Sequence, residues 1–192
     1  MRALLGFSVL VAMGLAGCGA SPPATPSVKP VKQVAAAPTG PSCQSDQLSA
    51  RLGPRTDLGH GQGSLPLIFT NTSRQPCLLR GAPAVVLRGP ANPNGAEYAL
   101  FHPIDTGRGL VLAPGTSGVA RLVVQSDVDG TLGSNGSSNW IPTRLEAVPP
   151  GHGAHASLST PWPAGMTVLR QDGAPRPDSW IEGVKADPAV TS

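Results

Sequence analysis

Three of the four histidines lie in glycine-rich stretches, where an imidazole could meet a ligand. His60 stands between two glycines, and His152 and His155 lie three residues apart in GHGAHAS. Imidazoles at this spacing can converge on zinc or copper, but a zinc site needs three or four ligands in total. No further ligand is obvious beside His152 and His155, so a glycine-rich loop is the alternative interpretation there. For His60 the alternative is a turn residue.

Trp140 is a fourth candidate for ligand binding, because exposed tryptophans stack on sugar rings or anchor partner proteins. It shares a proline-flanked or loop-like setting with Trp162 and Trp180, in a chain with only 4% aromatic residues. The alternative is that these three indoles fill the ends of a domain that has few other aromatic side chains. The sequence leaves both interpretations open.

Residues that could form a catalytic centre are not recognisable. Acyl transfer needs a nucleophile beside a base and an oxyanion hole, but Gly115–Gly118 lacks the Gly-x-Ser-x-Gly spacing of a nucleophile elbow. Asp127 and Asp129 have the spacing of two calcium ligands without the others, which favours a polar hairpin loop. We therefore expect no enzyme, no catalytic residues, no cofactor and no dedicated metal site.

The first cysteine, Cys18, follows a short apolar segment. Arg2 is the only charge before it, and Ala3–Leu15 is almost wholly apolar. This pattern is typical of a secretory signal, and it is shorter than the roughly 20 residues of a membrane-spanning helix. Leu15–Cys18, with the sequence LAGC, resembles a bacterial lipobox. That resemblance implies cleavage before Cys18 and a diacylglyceryl group on its sulfur; the alternative is an ordinary signal peptide with an incidental cysteine.

The cysteine count predicts a disulfide in the remainder of the chain. There are three cysteines, and if Cys18 carries lipid, Cys43 and Cys77 remain as a pair. Disulfides persist in exported proteins, so we expect these two to be bridged. Two free thiols are the alternative.

Composition divides the chain into four segments. Residues 1–17 form the predicted signal peptide, and 18–42 comprise the lipidated cysteine and a linker rich in proline and alanine. Residues 43–175 form one predicted domain, and 176–192 a partly flexible C-terminal tail. The net charge of +3 is too small to indicate a nucleic-acid partner.

Short apolar alternations separated by turn residues recur through the predicted domain. Strands are predicted at Leu48–Leu52, Leu65–Phe69, Thr143–Ala147 and Met166–Arg170, and the more continuously apolar Ala84–Leu87 and Val119–Gln125 are predicted to be central strands. Pro66 falls inside a predicted strand and is expected at an edge or a bulge. The pattern predicts an all-β fold, an antiparallel Greek-key immunoglobulin-like β-sandwich that follows a disordered proline-rich tether.

Three segments of this domain resemble an actinobacterial envelope family known only as domain of unknown function 4232. The segments are CQSDQLSARLG, GHGQGSLPLIFTNTSRQPCLLRGAPAVVLRG and LAPGTSGVARLVV. The positions that carry the resemblance are Cys43, Gly59, His60, Thr70, Asn71, Pro76, Cys77, Leu79, Gly81, Pro83, Leu112, Pro114 and Gly115. The resemblance implies a β-sandwich with a bridge between its first two cysteines, on a secreted or lipid-anchored protein. Many relatives have a second cysteine pair, which this chain lacks.

Together these patterns predict a non-enzymatic protein that is lipid-anchored on the extracytoplasmic face of the cell membrane. Its β-sandwich is expected to serve an interaction or structural role. The expected partners are the membrane, through the lipid anchor, and an envelope protein or glycan, but not nucleic acid. The alternative is an extracytoplasmic lipoprotein that binds a metal or a small ligand through His60, His152 or His155.

Overall fold

The computed structural model describes residues 37–103, 109–126, 132–137, 140–151 and 156–187. The predictions for the signal peptide, for Cys18 and for most of the linker lie outside these residues. So do the predictions for Asp127, Asp129, His152 and His155. No helix in the described ranges is long and apolar enough to cross a membrane.

The described residues form antiparallel β-strands and two short 3₁₀ turns, at Ser45–Gln47 and Ser134–Gly136. In chain order the strands are β1 (Leu48–Leu52), β2 (Thr56–Gly59), β3 (Gln62–Asn71), β4 (Cys77–Leu79), β5 (Ala84–Asn92), β6 (Gly95–Ala99), β7 (Leu110–Leu112), β8 (Ser117–Gln125), β9 (Arg144–Val148), β10 (Leu158–Pro161), β11 (Trp180–Ile181) and β12 (Lys185–Ala186).

The strands assemble into two main sheets and one small pair. The first sheet has the order β1-β3-β8-β11, with β2 also beside β3 and β12 also beside β8. The second has the order β10-β9-β5-β6, and β4 pairs with β7. The predicted all-β antiparallel sandwich is confirmed. The two segments predicted to be central strands lie in β5 and β8, each of which has a neighbour on both sides.

One apolar core joins the two main sheets. Leu67 and Leu122 of the first sheet and Leu87 and Leu145 of the second belong to the same cluster of buried side chains, and each is 0% exposed. Burying a leucine side chain contributes roughly 1.5–3 kcal/mol. The inward residues of the alternating strands therefore supply the free energy that holds the sheets together.

Pro66 lies in β3, an interior strand, rather than at the predicted edge or bulge. On one side of β3, β1 ends at Leu52 and β2 begins at Thr56, so a break in the pairing lies opposite Pro66. The Gly53 N–H donates to the Pro66 carbonyl across this break, over 2.8 Å. The N and O of one strand residue point to the same side, so the N–H that proline lacks faces the break and no ladder bond is lost.

The segment Met166–Arg170 does not form the predicted strand. The Val168 N–H donates to the Trp140 carbonyl, and the next N–H, that of Leu169, donates to the Gln125 carbonyl. Consecutive residues thus bond to different parts of the fold, because the chain crosses between sheets here. Apolar alternation alone does not distinguish such a crossing from a strand.

The folded sandwich continues past residue 175, into the segment predicted to be a partly flexible C-terminal tail. β11 and β12 both pair with β8, and Ile181 is 0% exposed in the core. Two-residue strands are too short to give a periodic sequence signal. The described sandwich therefore extends to Ala186.

β3 runs from one end of the sandwich to the other. We call the end marked by Ser42, Asn71 and Gly115 the near end, because residues 37–42 join the sandwich there through pairing of Ser42 with Leu78. We call the end marked by His60 and Gln125 the far end. A ten-residue strand places the two ends about 30 Å apart.

Candidate functional site

The near end contains the predicted disulfide. Cys43 and Cys77 are bonded, with their Cα atoms 4.8 Å apart, and both are buried. The Cys43 N–H donates to the Leu78 carbonyl over 3.0 Å, and the Leu78 N–H donates to the Pro41 carbonyl over 2.8 Å. The bridge and these hydrogen bonds fix residues 41–43 against β4.

Asn71, one of the positions that carry the family resemblance, is fully buried at the end of β3. Its Nδ2 donates to the carbonyls of Gln75 and Leu112 over 2.8 and 2.9 Å. Its Oδ1 accepts from the N–H and the hydroxyl of Ser73 over 2.9 and 2.8 Å. The Asn71 carbonyl also accepts from the Gly115 N–H. One side chain thus connects the turn after β3 to the end of β7.

His60 occupies the tight turn between β2 and β3. His60 and Gly61 have φ angles of 52° and 77°, and positive φ at both central residues of a two-residue hairpin defines a type I′ turn. The His60 carbonyl accepts a hydrogen bond from Gln125 Nε2 over 3.1 Å. The backbone of His60 therefore shapes the hairpin, and the residue is exposed at the far end.

The described residues contain no group of three or more His, Cys, Asp or Glu side chains that could hold a metal ion. The described flanks of the GHGAHAS segment lie at the near end. A Cβ on Gly151 would lie 3.3 Å from Ser42 Cβ, and the Ser45 hydroxyl donates to the Ala156 carbonyl over 2.6 Å. His60 is at the opposite end of the sandwich from these flanks.

Trp140 lies in the core with 5% of its surface exposed. Its Nε1–H donates to the Pro90 carbonyl over 2.8 Å, and its ring meets Tyr98 edge to face with centroids 6.4 Å apart. Trp162 is likewise buried, and its Nε1–H donates to the Met166 carbonyl. These contacts give both tryptophans a core-filling role, and the Trp140 ring is not open to stacking on a sugar.

Arg170 sits beside Trp140, and its place in the core was not predicted from sequence. Its side chain is 0% exposed, and its guanidinium carbon lies 4.8 Å from the centroid of the Trp140 ring. Nε and Nη2 form a bidentate ion pair with Asp172, over 2.9 and 2.6 Å. Its other acceptors are Asn92 Oδ1 and the carbonyls of Asn94, Gly95 and Glu97. These six acceptors engage all five guanidinium N–H donors, so none is left for a ligand.

The same guanidinium covers part of the open edge of β6. The Leu100 N–H donates to the Val85 carbonyl. The backbone N–H and C=O groups of even-numbered residues in this stretch therefore point toward β5, and the Glu97 carbonyl points away from β5. Arg170 donates to that carbonyl over 2.6 Å and to the Gly95 carbonyl over 2.7 Å. Uncovered edge strands invite pairing with other chains. Arg170 therefore both neutralises Asp172 and protects a sheet edge.

Among the described residues, three titratable groups have clearly shifted pKa values. Burial raises the pKa of Tyr98. Hydrogen bonds from Arg88 and Arg144 lower the pKa of Glu146. At Glu182, burial acts to raise the pKa, but hydrogen bonds from Arg121 and Lys185 outweigh it and the net shift is downward. All three shifts move the pKa away from neutrality, the opposite of what a general acid or base at pH 7 requires.

Comparison with known proteins gives one family match. The family described as domain of unknown function (DUF4232) matches residues 43–178. No curated protein and no solved structure gives a significant match.

The Asn71 hydrogen bonds predict that Asn71→Asp strongly destabilises the sandwich. The substitution keeps the shape but turns two donors into an acceptor that faces two carbonyls in a fully buried site. We expect the free energy of unfolding in denaturant to fall by about 3 kcal/mol. Gln75→Glu is the matched control, because it makes the same chemical change on an exposed residue of the same turn. Equal losses in the two variants would refute the assigned role of Asn71.

The saturated guanidinium predicts that Arg170→Met costs about 3–5 kcal/mol of unfolding free energy, because it leaves the Asp172 carboxylate and several carbonyls without their donor. Arg144→Met is the control, since the Arg144 side chain is 50% exposed in its pair with Glu146 and such a pair contributes less than about 1 kcal/mol. Urea unfolding of both variants measures the difference. A loss at Arg170 no larger than that at Arg144 contradicts the structural role.

Proposed function

This chain belongs to the family described as domain of unknown function (DUF4232), and we propose that it is a non-enzymatic, lipid-anchored protein of a bacterial cell envelope. In this proposal the β-sandwich acts in an interaction or a structural role on the extracytoplasmic face of the membrane. The actinobacterial setting implied by the sequence resemblance is part of the proposal. So is the signal peptide that ends before Cys18.

The observation that carries the proposal is the sequence LAGC at Leu15–Cys18, placed directly after a short apolar segment. A diacylglyceryl group on the Cys18 sulfur brings two acyl chains to one residue. Each buried CH₂ contributes roughly 0.8 kcal/mol, and two chains suffice for stable anchoring where one gives only reversible attachment. The proline-rich linker then spaces the domain from the bilayer.

The buried disulfide supports the extracytoplasmic part of the proposal. Disulfides form and persist in exported proteins and are rare in the reducing cytosol. The Cys43–Cys77 bridge ties the start of the domain to β4. Its position, where residues 37–42 join the sandwich, suits a domain connected to a tether at that end.

The roles of the candidate residues support interaction or structure over catalysis. Among the described residues, Trp140 and Arg170 are used in packing and hydrogen bonding within the fold. The His60 backbone forms a turn at the end opposite the linker, which an anchored protein would hold away from the bilayer. The shifted pKa values of Tyr98, Glu146 and Glu182 lie outside the range that acid–base chemistry at pH 7 would use.

Replacing the lipid-bearing residue tests the anchor. We expect Cys18→Ala to lose membrane retention, because the thioether can no longer form, and cell fractionation with intact-mass analysis measures this. Ser21→Ala is the control, since it changes a nearby residue and leaves Leu15–Cys18 intact. If the Cys18→Ala protein stays on the membrane and differs in mass from the native protein only by the sulfur atom that the substitution removes, the anchoring proposal fails.

Crosslinking in intact cells tests the interaction role. We expect the native protein to form a defined adduct with an envelope component, and we expect Asn71→Asp to reduce that adduct because binding requires the folded sandwich. Gel mobility and mass spectrometry identify the adduct, and yields are normalised to the amount of exported protein. Recovery of monomer alone, or an undiminished adduct in a variant shown to be unfolded, contradicts the role.

A further inference from the structure

A cavity of about 460 Å³ opens at the near end, where the linker meets the sandwich. The described residues that line it are Thr39, Gly40, Ser42, Leu78, Arg80 and Gly151. Its volume lies in the range of cavities that hold small ligands, about 300–1,000 Å³. None of the residues singled out from the sequence as ligand-binding candidates is among these lining residues.

Two neighbouring parts of the cavity wall, at Ser42 and at Leu78, are held together by a disulfide and by β-bridge pairing. Ser42 is followed by Cys43 and Leu78 is preceded by Cys77, so the disulfide joins the two parts directly. Ser42 and Leu78 also pair as an isolated parallel bridge. The cavity is therefore formed before any ligand arrives, which lowers the entropic cost of binding.

The charge of the described lining favours an anion. Arg80 is the only charged residue among the described residues that line the cavity, and the hydroxyl groups of Thr39 and Ser42 add donors. Within the described residues, Arg80 makes one hydrogen bond, from Nη2 to the Pro38 carbonyl over 2.8 Å. A guanidinium has five N–H donors in a planar fork, so most of them remain available to a ligand.

We propose that this cavity binds a phosphate group, with Arg80 as the principal donor and the hydroxyls of Thr39 and Ser42 as supporting donors. A planar guanidinium fork matches two oxygens of a phosphate. The phosphate can come from a lipid headgroup or from a soluble phosphate. The headgroup source rests on the proposed function, because a linker anchored at Cys18 would keep the near end within the length of the linker from the bilayer surface.

Binding is measured on the full chain carrying Cys18→Ala, so that no lipid at that residue contributes to membrane association. Calorimetric titration with inorganic phosphate tests the soluble source. Sedimentation with phosphatidylglycerol vesicles, compared with phosphatidylcholine vesicles, tests the headgroup source. We expect binding in at least one of these assays, and we expect Arg80→Gln to weaken it by about tenfold or more.

Arg74→Gln is the matched control, because Arg74 is an exposed residue in the turn between β3 and β4 and does not line the cavity. We expect it to bind like the parent chain, and we expect Arg80→Lys to bind at an intermediate level because it keeps the charge without the planar fork. Thermal unfolding checks that all variants are folded.

Loss of inorganic-phosphate binding in Arg80→Gln but not in Arg74→Gln assigns a soluble phosphate. Loss of phosphatidylglycerol binding in Arg80→Gln but not in Arg74→Gln assigns a headgroup. Absence of Arg80-dependent binding in both assays overturns the proposal. Equal losses in Arg74→Gln and Arg80→Gln also overturn it, because they indicate a general effect of surface charge. The result does not depend on whether Cys18 carries lipid in the cell, so it is separate from the test of the anchor.

Discussion

The near end of the sandwich depends on one buried amide. Asn71 uses both atoms of its side-chain amide to hold the turn after β3 and the end of β7. That turn delivers Cys77 to the position where it meets Cys43. Because the amide is fully buried, it has no water to replace a lost partner. Asn71 therefore supports the turn that leads into β4 and the disulfide, and the pairing of β4 with β7 holds the strand itself.

The sequence predicted β1, β3 and β9 because burial on one face imposes a period of two, and it predicted β5 and β8 because a strand with neighbours on both sides is more continuously apolar. Leu48–Leu52 coincides with β1, and Val119–Gln125 lies within β8. Pro66 illustrates a limit of such patterns. The interior strand β3 accommodates Pro66 because the break between β1 and β2 lies opposite it. The local sequence does not show which distant segments pair, so this break could not be predicted.

The polar core was not predictable from single residues. An arginine in an apolar alternation ordinarily indicates a solvated face, yet Arg170 is buried because acceptors from a hairpin more than seventy residues earlier converge on it. Trp140 is buried beside it, with its Nε1–H donating to the Pro90 carbonyl. The disulfide pairing was predicted, since counting cysteines requires no geometry, and the backbone role of His60 fits the turn that its two glycine neighbours suggested.

The disulfide also determines how tension would pass through the domain. A pull on residues 37–42 reaches Cys43 and passes through the covalent bridge directly into Cys77 and β4. The polypeptide between the two cysteines, which contains β1, β2 and β3, lies outside this mechanical path. A pull on the chain before Cys43 is thus transmitted to β4 without separating the first three strands from the sandwich.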